Sequence, residues 1–247
     1  MVICVLGADG FIGRNLVKDL GAVGIGRKQL DLLDEHAVDA FFNSNSFDVV
    51  VNCAALGGSR LKRDDPDVFF KNVKIFENIA RHAEKFKRLV WFSSGAAIHA
   101  RDTPYGFAKH VCEDLASQVP NCQVFRIFGC YGIDEPPTRF ITTCLRGYVK
   151  IQQNRFFDFF WVGDIHRVIT NFTKCDGVVR DLVYESKWSL HEVAILNATP
   201  YITLVDQESL GAPYIGEFNQ EIGNAIGVFD RHPMMRPEEK RVAHNFV

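Results

Sequence analysis

The chain has 247 residues, 47% of them hydrophobic, and a formal net charge of −2. That is enough apolar material for one large domain, or for a domain with a smaller lobe, and it gives no global attraction to nucleic acid or an anionic membrane. No apolar run approaches the roughly 18–20 residues that span a bilayer, and the seven cysteines form no CxxC pair, so no metal site is expected and the thiols read as reduced, in a cytoplasmic protein.

Short apolar runs alternate with amphipathic segments, the pattern of a parallel sheet covered on both faces. Strands are expected at Val2–Leu6, Ala22–Gly26, Asp48–Asn52, Arg88–Phe92 and Cys122–Phe128. The first lacks the basic residues of a signal peptide and runs straight into a glycine loop. Helices are expected at Phe11–Leu20, Asp34–Asn43, Pro66–Lys85 and Pro104–Gln118, with Asp34 as an N-cap and Pro66 in a first turn. Pro136-Pro137 marks a break. Beyond it the expected elements are a helix at Arg139–Tyr148, an extended run Phe156–Val162 of core aromatics and a helix from Asp164. Then come Val178–Tyr184, Ser189–Leu196, Tyr201–Val205 and a polar arm over 231–247. The fold class is therefore α/β, a Rossmann-type doubly wound parallel sheet with a small C-terminal lobe. Residues 1–132 form the dinucleotide-binding domain, with 155–175 a candidate to rejoin it, and 133–247 form the substrate lobe and arm.

Gly7-Ala8-Asp9-Gly10-Phe11-Ile12-Gly13 lies between the first strand and the first helix. Gly7 permits the tight turn, Gly10 lets backbone approach a pyrophosphate, and Gly13 lets the helix pack close to the sheet. The end of the second strand reads the adenosine ribose, where an acid favours NAD and a cation NADP. Here the stretch is Gly26-Arg27-Lys28, which points to NADP with NAD as the second choice; Asp9 in the loop pulls the other way.

Tyr105 and Lys109 stand four apart on a helix, hence on one face, downstream of Ser93-Ser94 at the end of the fourth strand. With GADGFIG, Asn52-Cys53-Ala54-Ala55, PYGFAK, Phe125–Gly132 and Phe159–Ile165, the sequence resembles the extended short-chain dehydrogenase/reductases. Within them it resembles the NAD-dependent epimerase/dehydratase branch that acts on sugar nucleotides. Arg27–Asp34 and Ala55–Ser59 look most like the GDP-L-fucose synthase type, and less like the dTDP-4-dehydrorhamnose reductase type.

The resemblance implies catalysis by Ser94, Tyr105 and Lys109. The tyrosine protonates the alkoxide left by hydride transfer, the lysine supplies a neighbouring positive charge and holds the nicotinamide ribose, and the serine bonds the substrate oxygen. One alignment sets the serine's role at Ser94, another leaves it on Gly95. It also implies a cofactor site of Gly7, Asp9, Gly10, Phe11, Ile12, Gly13, Arg27, Asp31, Leu32, Ala54, Ala55, Tyr105 and Lys109. Arg139 and Arg155 are candidates for the substrate diphosphate. The cysteine and histidine used for epimerisation in the fucose synthase type have no counterparts, since Gly95 or Ala96 stands at one place and Ile133–Pro136 offers no histidine. The expected function is an NADP-dependent reductase of a keto sugar nucleotide. The alternatives are an epimerase or dehydratase of the same branch, or a dinucleotide-binding sensor that has lost catalysis. The resemblance also implies a homodimer through Pro66–Lys85 and Pro104–Gln118, with modest support from the apolar surface of Val68, Phe69, Val73, Phe76, Val111 and Leu115.

Overall fold

A computed structural model describes residues 1–59, 61–203 and 210–234. The chain opens with five strands and their connecting helices: β1 (Ile3–Leu6), α1 (Phe11–Leu20), β2 (Val23–Ile25), α2 (Glu35–Ser44), β3 (Phe47–Asn52), α3 (Asp67–Ala80), β4 (Phe86–Ser94), α4 (Ala96–His99), α5 (Pro104–Ala116) and β5 (Cys122–Ile127). It continues through β6 (Cys130–Tyr131), α6 (Phe140–Leu145), β7 (Val149–Ile151), β8 (Phe160–Trp161), α7 (Val162–Asn171), β9 (Val179–Leu182), α8 (Leu190–Leu196), β10 (Tyr201–Thr203) and α9 (Gln220–Ile226). The main sheet runs β2-β1-β3-β4-β5-β9, and its first five strands are mutually parallel. This is the expected doubly wound α/β class.

Two compact units divide the chain, Met1–Ile127 with Thr173–Arg180, and Phe128–Phe172 with Asp181–Val247. The segment that returns to the first unit is therefore Thr173–Arg180, not 155–175. Phe157, Phe159 and Phe160 find their ring partners within the second unit. They pack there, with Phe157 stacked on Tyr214 at 5.0 Å between ring centres.

Local signals start the helices. Asp34 caps α2 by accepting from Ala37 N–H at 3.1 Å, and Thr103 caps α5 by accepting from Gly106 N–H at 3.0 Å, with Pro104 in the first turn. In α3 Asn72, Ile75, Phe76 and Ile79 form one buried stripe at helical spacing. Ile75, Phe76 and Ile79 join Leu6, Val50, Leu89 and Trp91 in the first unit's core, and Phe76 meets Trp91 edge-on at 4.9 Å. The helix expected through Lys85 stops at Ala80, and Ala83–Lys85 make a separate 3₁₀ turn.

The second unit is built from shorter pieces. Only Phe160–Trp161 of the expected strand pairs, parallel with Cys130–Tyr131, while Phe156 and Phe157 make single bridges to Ser189 and Tyr214. α7 starts at Val162, so Asp164 falls in its first turn, where a carboxylate is favoured. Ser189 and Glu192 form a capping box on α8. The start of the expected arm is anchored: Arg231 donates to the buried Asp164 through Nε at 3.0 Å and a terminal nitrogen at 3.2 Å, and Tyr184 donates to the same carboxylate at 2.6 Å. The rest of that arm, 235–247, and the end of the run Tyr201–Val205 lie outside the described residues.

Glu135 accepts from Thr142 N–H at 3.1 Å and from its hydroxyl at 2.7 Å. Burial pushes its carboxyl up from the ordinary 4.5 to about 7, against the pull of those hydrogen bonds and of Arg139. A carboxyl raised on folding binds its proton more tightly in the native state, so its contribution is fully present below pH 4.5 and is lost as pH rises through about 7. Glu135→Gln keeps the acceptor oxygen and removes the titration. Thermal unfolding should find this variant more stable than the parent at pH 8 and no more stable at pH 4.5; an equal shift at both would refute the assignment.

Candidate active site

The glycine loop, the end of β2 and the end of β3 enclose a cleft of about 230 Å³. Gly7 has φ +76°, and a Cβ there would lie 2.6 Å from Ala54 N, so only glycine lets the loop touch the β3 terminus. A Cβ on Gly13 would fall on the Gly7 carbonyl, which is why α1 can start so near the strand. Gly10 precedes α1 without a side-chain cap, leaving first-turn N–H groups for an anion. The cleft is lined by Gly7, Asp9, Gly10, Arg27, Asp31, Leu32, Ala54 and Ala55 of the expected cofactor residues. Phe11, Ile12 and Gly13 do not line it and sit in the first turn of α1, with Phe11 and Gly13 buried. The cradle of missing Cβ atoms beside a helix start fits a dinucleotide.

At the other end, α5 carries Tyr105 and Lys109. Lys109 is buried and donates to the Phe92 carbonyl at 2.8 Å, with its Nζ 5.2 Å from the centre of the Trp91 ring and 5.7 Å from that of Tyr105. Burial lowers its ammonium from the ordinary 10.5 to about 8, while Cys112, Glu113 and Cys53 oppose that fall. Gly58, at φ +72°, lies against the Tyr105 ring, where a Cβ would sit 2.9 Å from Cε1. Asp64 holds that glycine by accepting its N–H at 3.0 Å. These two residues and Thr103 frame the tyrosine. The sequence offers no signal for that role beyond a Gly-Gly pair, a charged residue and a threonine before proline.

The serine pair divides by face. Successive strand residues point to opposite sides, and the Ser93 hydroxyl donates to Glu113 Oε1 at 2.5 Å. Glu113 in turn accepts from Arg126 at 2.8 and 2.7 Å in a fork. Ser94, the last residue of β4, accepts from the N–H of Ala96, the first residue of α4, at 3.2 Å, and Gly95 bonds the Ile127 carbonyl through its N–H at 3.0 Å. Arg139, just before α6, is exposed, and Arg155 is half-buried on another segment of the second unit. His99 ends α4.

Residues 3–169 match the model of the NAD dependent epimerase/dehydratase family, about two thirds of the sequence. The chain belongs to that family. No curated protein matches it significantly. Solved structures similar to this family member include three enzymes. A GDP-L-fucose synthetase from Naegleria fowleri bound to NADP has a TM-score of 0.76 and 16% identity, covering 99% of this chain and 92% of that one. A dTDP-4-dehydrorhamnose reductase from Clostridium acetobutylicum has a TM-score of 0.71 and 20% identity, covering 82% and 83%. A UDP-glucose 4-epimerase from Thermotoga maritima with UDP-glucose has a TM-score of 0.75 and 18% identity, covering 100% and 98%. At these identities the likeness is one of fold.

The two serines should separate in stability. Ser93→Ala leaves the buried Glu113 short of a donor and should cost about 1–3 kcal/mol. Ser94→Ala should cost well under that. Denaturant unfolding checks both, and equal losses would contradict the division by face.

Proposed function

We propose that this family member is an NADP-dependent reductase of a keto sugar nucleotide, with Tyr105 as the proton donor. The observation that carries the reading is Lys109, a buried ammonium beside the Tyr105 ring on the same helical face. The dinucleotide, when bound, supplies the hydride. The chain's own groups do the rest. Tyr105 gives its proton to the oxygen that gains charge, and the Lys109 cation favours the phenolate that remains. Ser94 donates a hydrogen bond to the same oxygen and holds it in place. Gly7, Gly10 and the start of α1 hold the pyrophosphate, and Arg27 and Lys28 meet a 2′-phosphate. Arg139 and Arg155 are assigned to the substrate's diphosphate on charge alone. Among the described residues no helix is long and apolar enough to cross a membrane.

Tyr105→Phe should lower turnover by roughly 10²–10⁴-fold while NADPH binding stays within a factor of about two. Full activity in that variant, on a nucleotide-linked keto sugar that the parent reduces, would defeat the assignment. The reduction rate should also fall as pH rises through about 8, where Lys109 loses its proton. Lys109→Arg keeps its charge and should move that limb upward. A pH profile unchanged by the arginine would assign the limb to another group.

We also propose a homodimer through α3 and α5. Phe76 takes no part, because it is only 3% exposed and belongs to its own core. The surface instead comprises Phe70, 67% exposed, Phe107, 47%, and Leu115, 42%. Phe69 stacks on Phe107 at 5.0 Å, with Val68, Val73 and Val111 half-buried alongside. A two-fold axis lets one such patch cover its copy. Light scattering should give twice the chain mass for the parent and the single mass for Phe107→Glu; a monomeric parent at micromolar concentration would rule the dimer out.

A further inference from the structure

The end of the second strand decides which adenosine ribose a site of this kind accepts. A carboxylate there takes the 2′-hydroxyl of NAD, and a cation takes the 2′-phosphate of NADP. By sequence β2 runs into Gly26-Arg27-Lys28 and has no acid. The folded chain nevertheless carries one there. Asp9 leans out of the glycine loop, and its Oδ2 accepts the Arg27 N–H at 3.2 Å. The carboxylate lies against Gly26 so closely that a Cβ on that residue would collide with it. Gly26 is thus a seat for the Asp9 side chain, and any larger residue would displace the acid.

The charge at that point is not cancelled internally. Among the described residues the Asp9 carboxylate has that one backbone donor and no ion pair, although Arg27 is its immediate neighbour. The Arg27 guanidinium is exposed and also makes no ion pair among the described residues. Both residues line the same cleft. Gln29 is not available to the ribose through its oxygen, because Oε1 already accepts the Gly26 N–H at 2.6 Å. An acceptor and a cation therefore face the ribose edge together, the acceptor fixed by backbone and the cation free to swing.

We infer that Asp9 is the specificity-determining residue for the cofactor, supplying from the glycine loop the carboxylate that β2 lacks, so that the site takes NAD as well as NADP. The carboxylate accepts the ribose 2′-hydroxyl of NAD. It repels the 2′-phosphate of NADP, which Arg27 attracts, and the two effects hold the preference between the cofactors to a narrow range. The inference rests on the dinucleotide reading of the cleft and narrows the NADP preference given above.

The test is equilibrium titration calorimetry of the full chain with NADP and with NAD, for the parent, Asp9→Asn, Asp9→Ser and Arg27→Ala, each checked for an unchanged melting temperature. The two parent dissociation constants should lie within about tenfold of each other. Both Asp9 variants should tighten NADP and weaken NAD, moving the ratio by about tenfold or more, and the asparagine variant keeps the side chain's shape, so its shift reports the charge. Arg27→Ala should weaken NADP alone. An unchanged ratio in both Asp9 variants, with both cofactors bound, would overturn the role of Asp9 and leave the dinucleotide site standing. Failure of the parent to bind either cofactor would overturn that reading and this inference with it.

Discussion

Three backbone segments meet at Gly7, and the first unit is organised around that contact. The Ala54 backbone occupies the space of the Cβ that Gly7 lacks, and the Gly7 carbonyl occupies the space of the one that Gly13 lacks. Interiors are packed too densely to absorb even one extra carbon at such a point. The contact fixes the ends of β1 and β3 and the start of α1 relative to one another, and those are the walls of the cleft. It also explains Asn52, a buried polar residue at the end of β3. Its amide donates to the Ala54 carbonyl at 3.0 Å and its oxygen accepts the Ala54 N–H at 3.3 Å, so the strand turns where the loop needs it.

The Tyr105 end of the candidate site rests on charges held away from water by α5. Lys109 and Glu113, one turn apart, both point into the unit and are 3% and 4% exposed. Burying a charge is costly unless it is paired. Glu113 is paired with Arg126 and further bonded by Ser93. Among the described residues Lys109 has a carbonyl and two aromatic faces but no carboxylate in its hydrogen bonding, so the burial that lowers its affinity for a proton is not offset by a direct ion pair. A lysine so placed responds to charge on the neighbouring phenol more strongly than one in water would. The buried cation and the buried ion pair of the helix thus sit on adjacent turns with different partners.

Much of this was legible in the sequence because it is local. The α1 helix has the expected bounds, Phe11–Leu20, and the Asp34 cap on α2 is in place. What was not legible depends on distant partners. Ser93 and Ser94 look alike until the strand register and Glu113 are known. Phe76 reads as surplus apolar surface until Trp91 is known to lie under α3. Asp9 reads only as an opposing charge within the glycine loop until the fold sets it against Gly26, seventeen residues away in sequence. Arg231 reads as part of a tail because its partner, Asp164, is 67 residues earlier. The helix Gln220–Ile226 has too few residues for a clear apolar period; Asn219 caps its start, and Arg167 and Asn171 of α7 donate to its last carbonyls, those of Ile226 and Ala225.

Cys53 connects the two ends of the site. It stands one residue past β3, lines the cleft, and is close enough to Lys109 for the lysine's charge to be felt at its thiol. Burial pushes that thiol up to about 12, and the lysine reduces the rise only in part. The group therefore stays neutral throughout the physiological range. Neutrality matters here, because a thiolate at this point would attract Lys109 and tie down the cation beside the Tyr105 ring. It would also set a negative charge in the wall of the cleft. A small, polarizable, uncharged side chain fills the space between the β3 terminus and the lysine without doing either. The position thus tolerates cysteine because the same burial that makes Lys109 easier to deprotonate makes Cys53 harder to ionise.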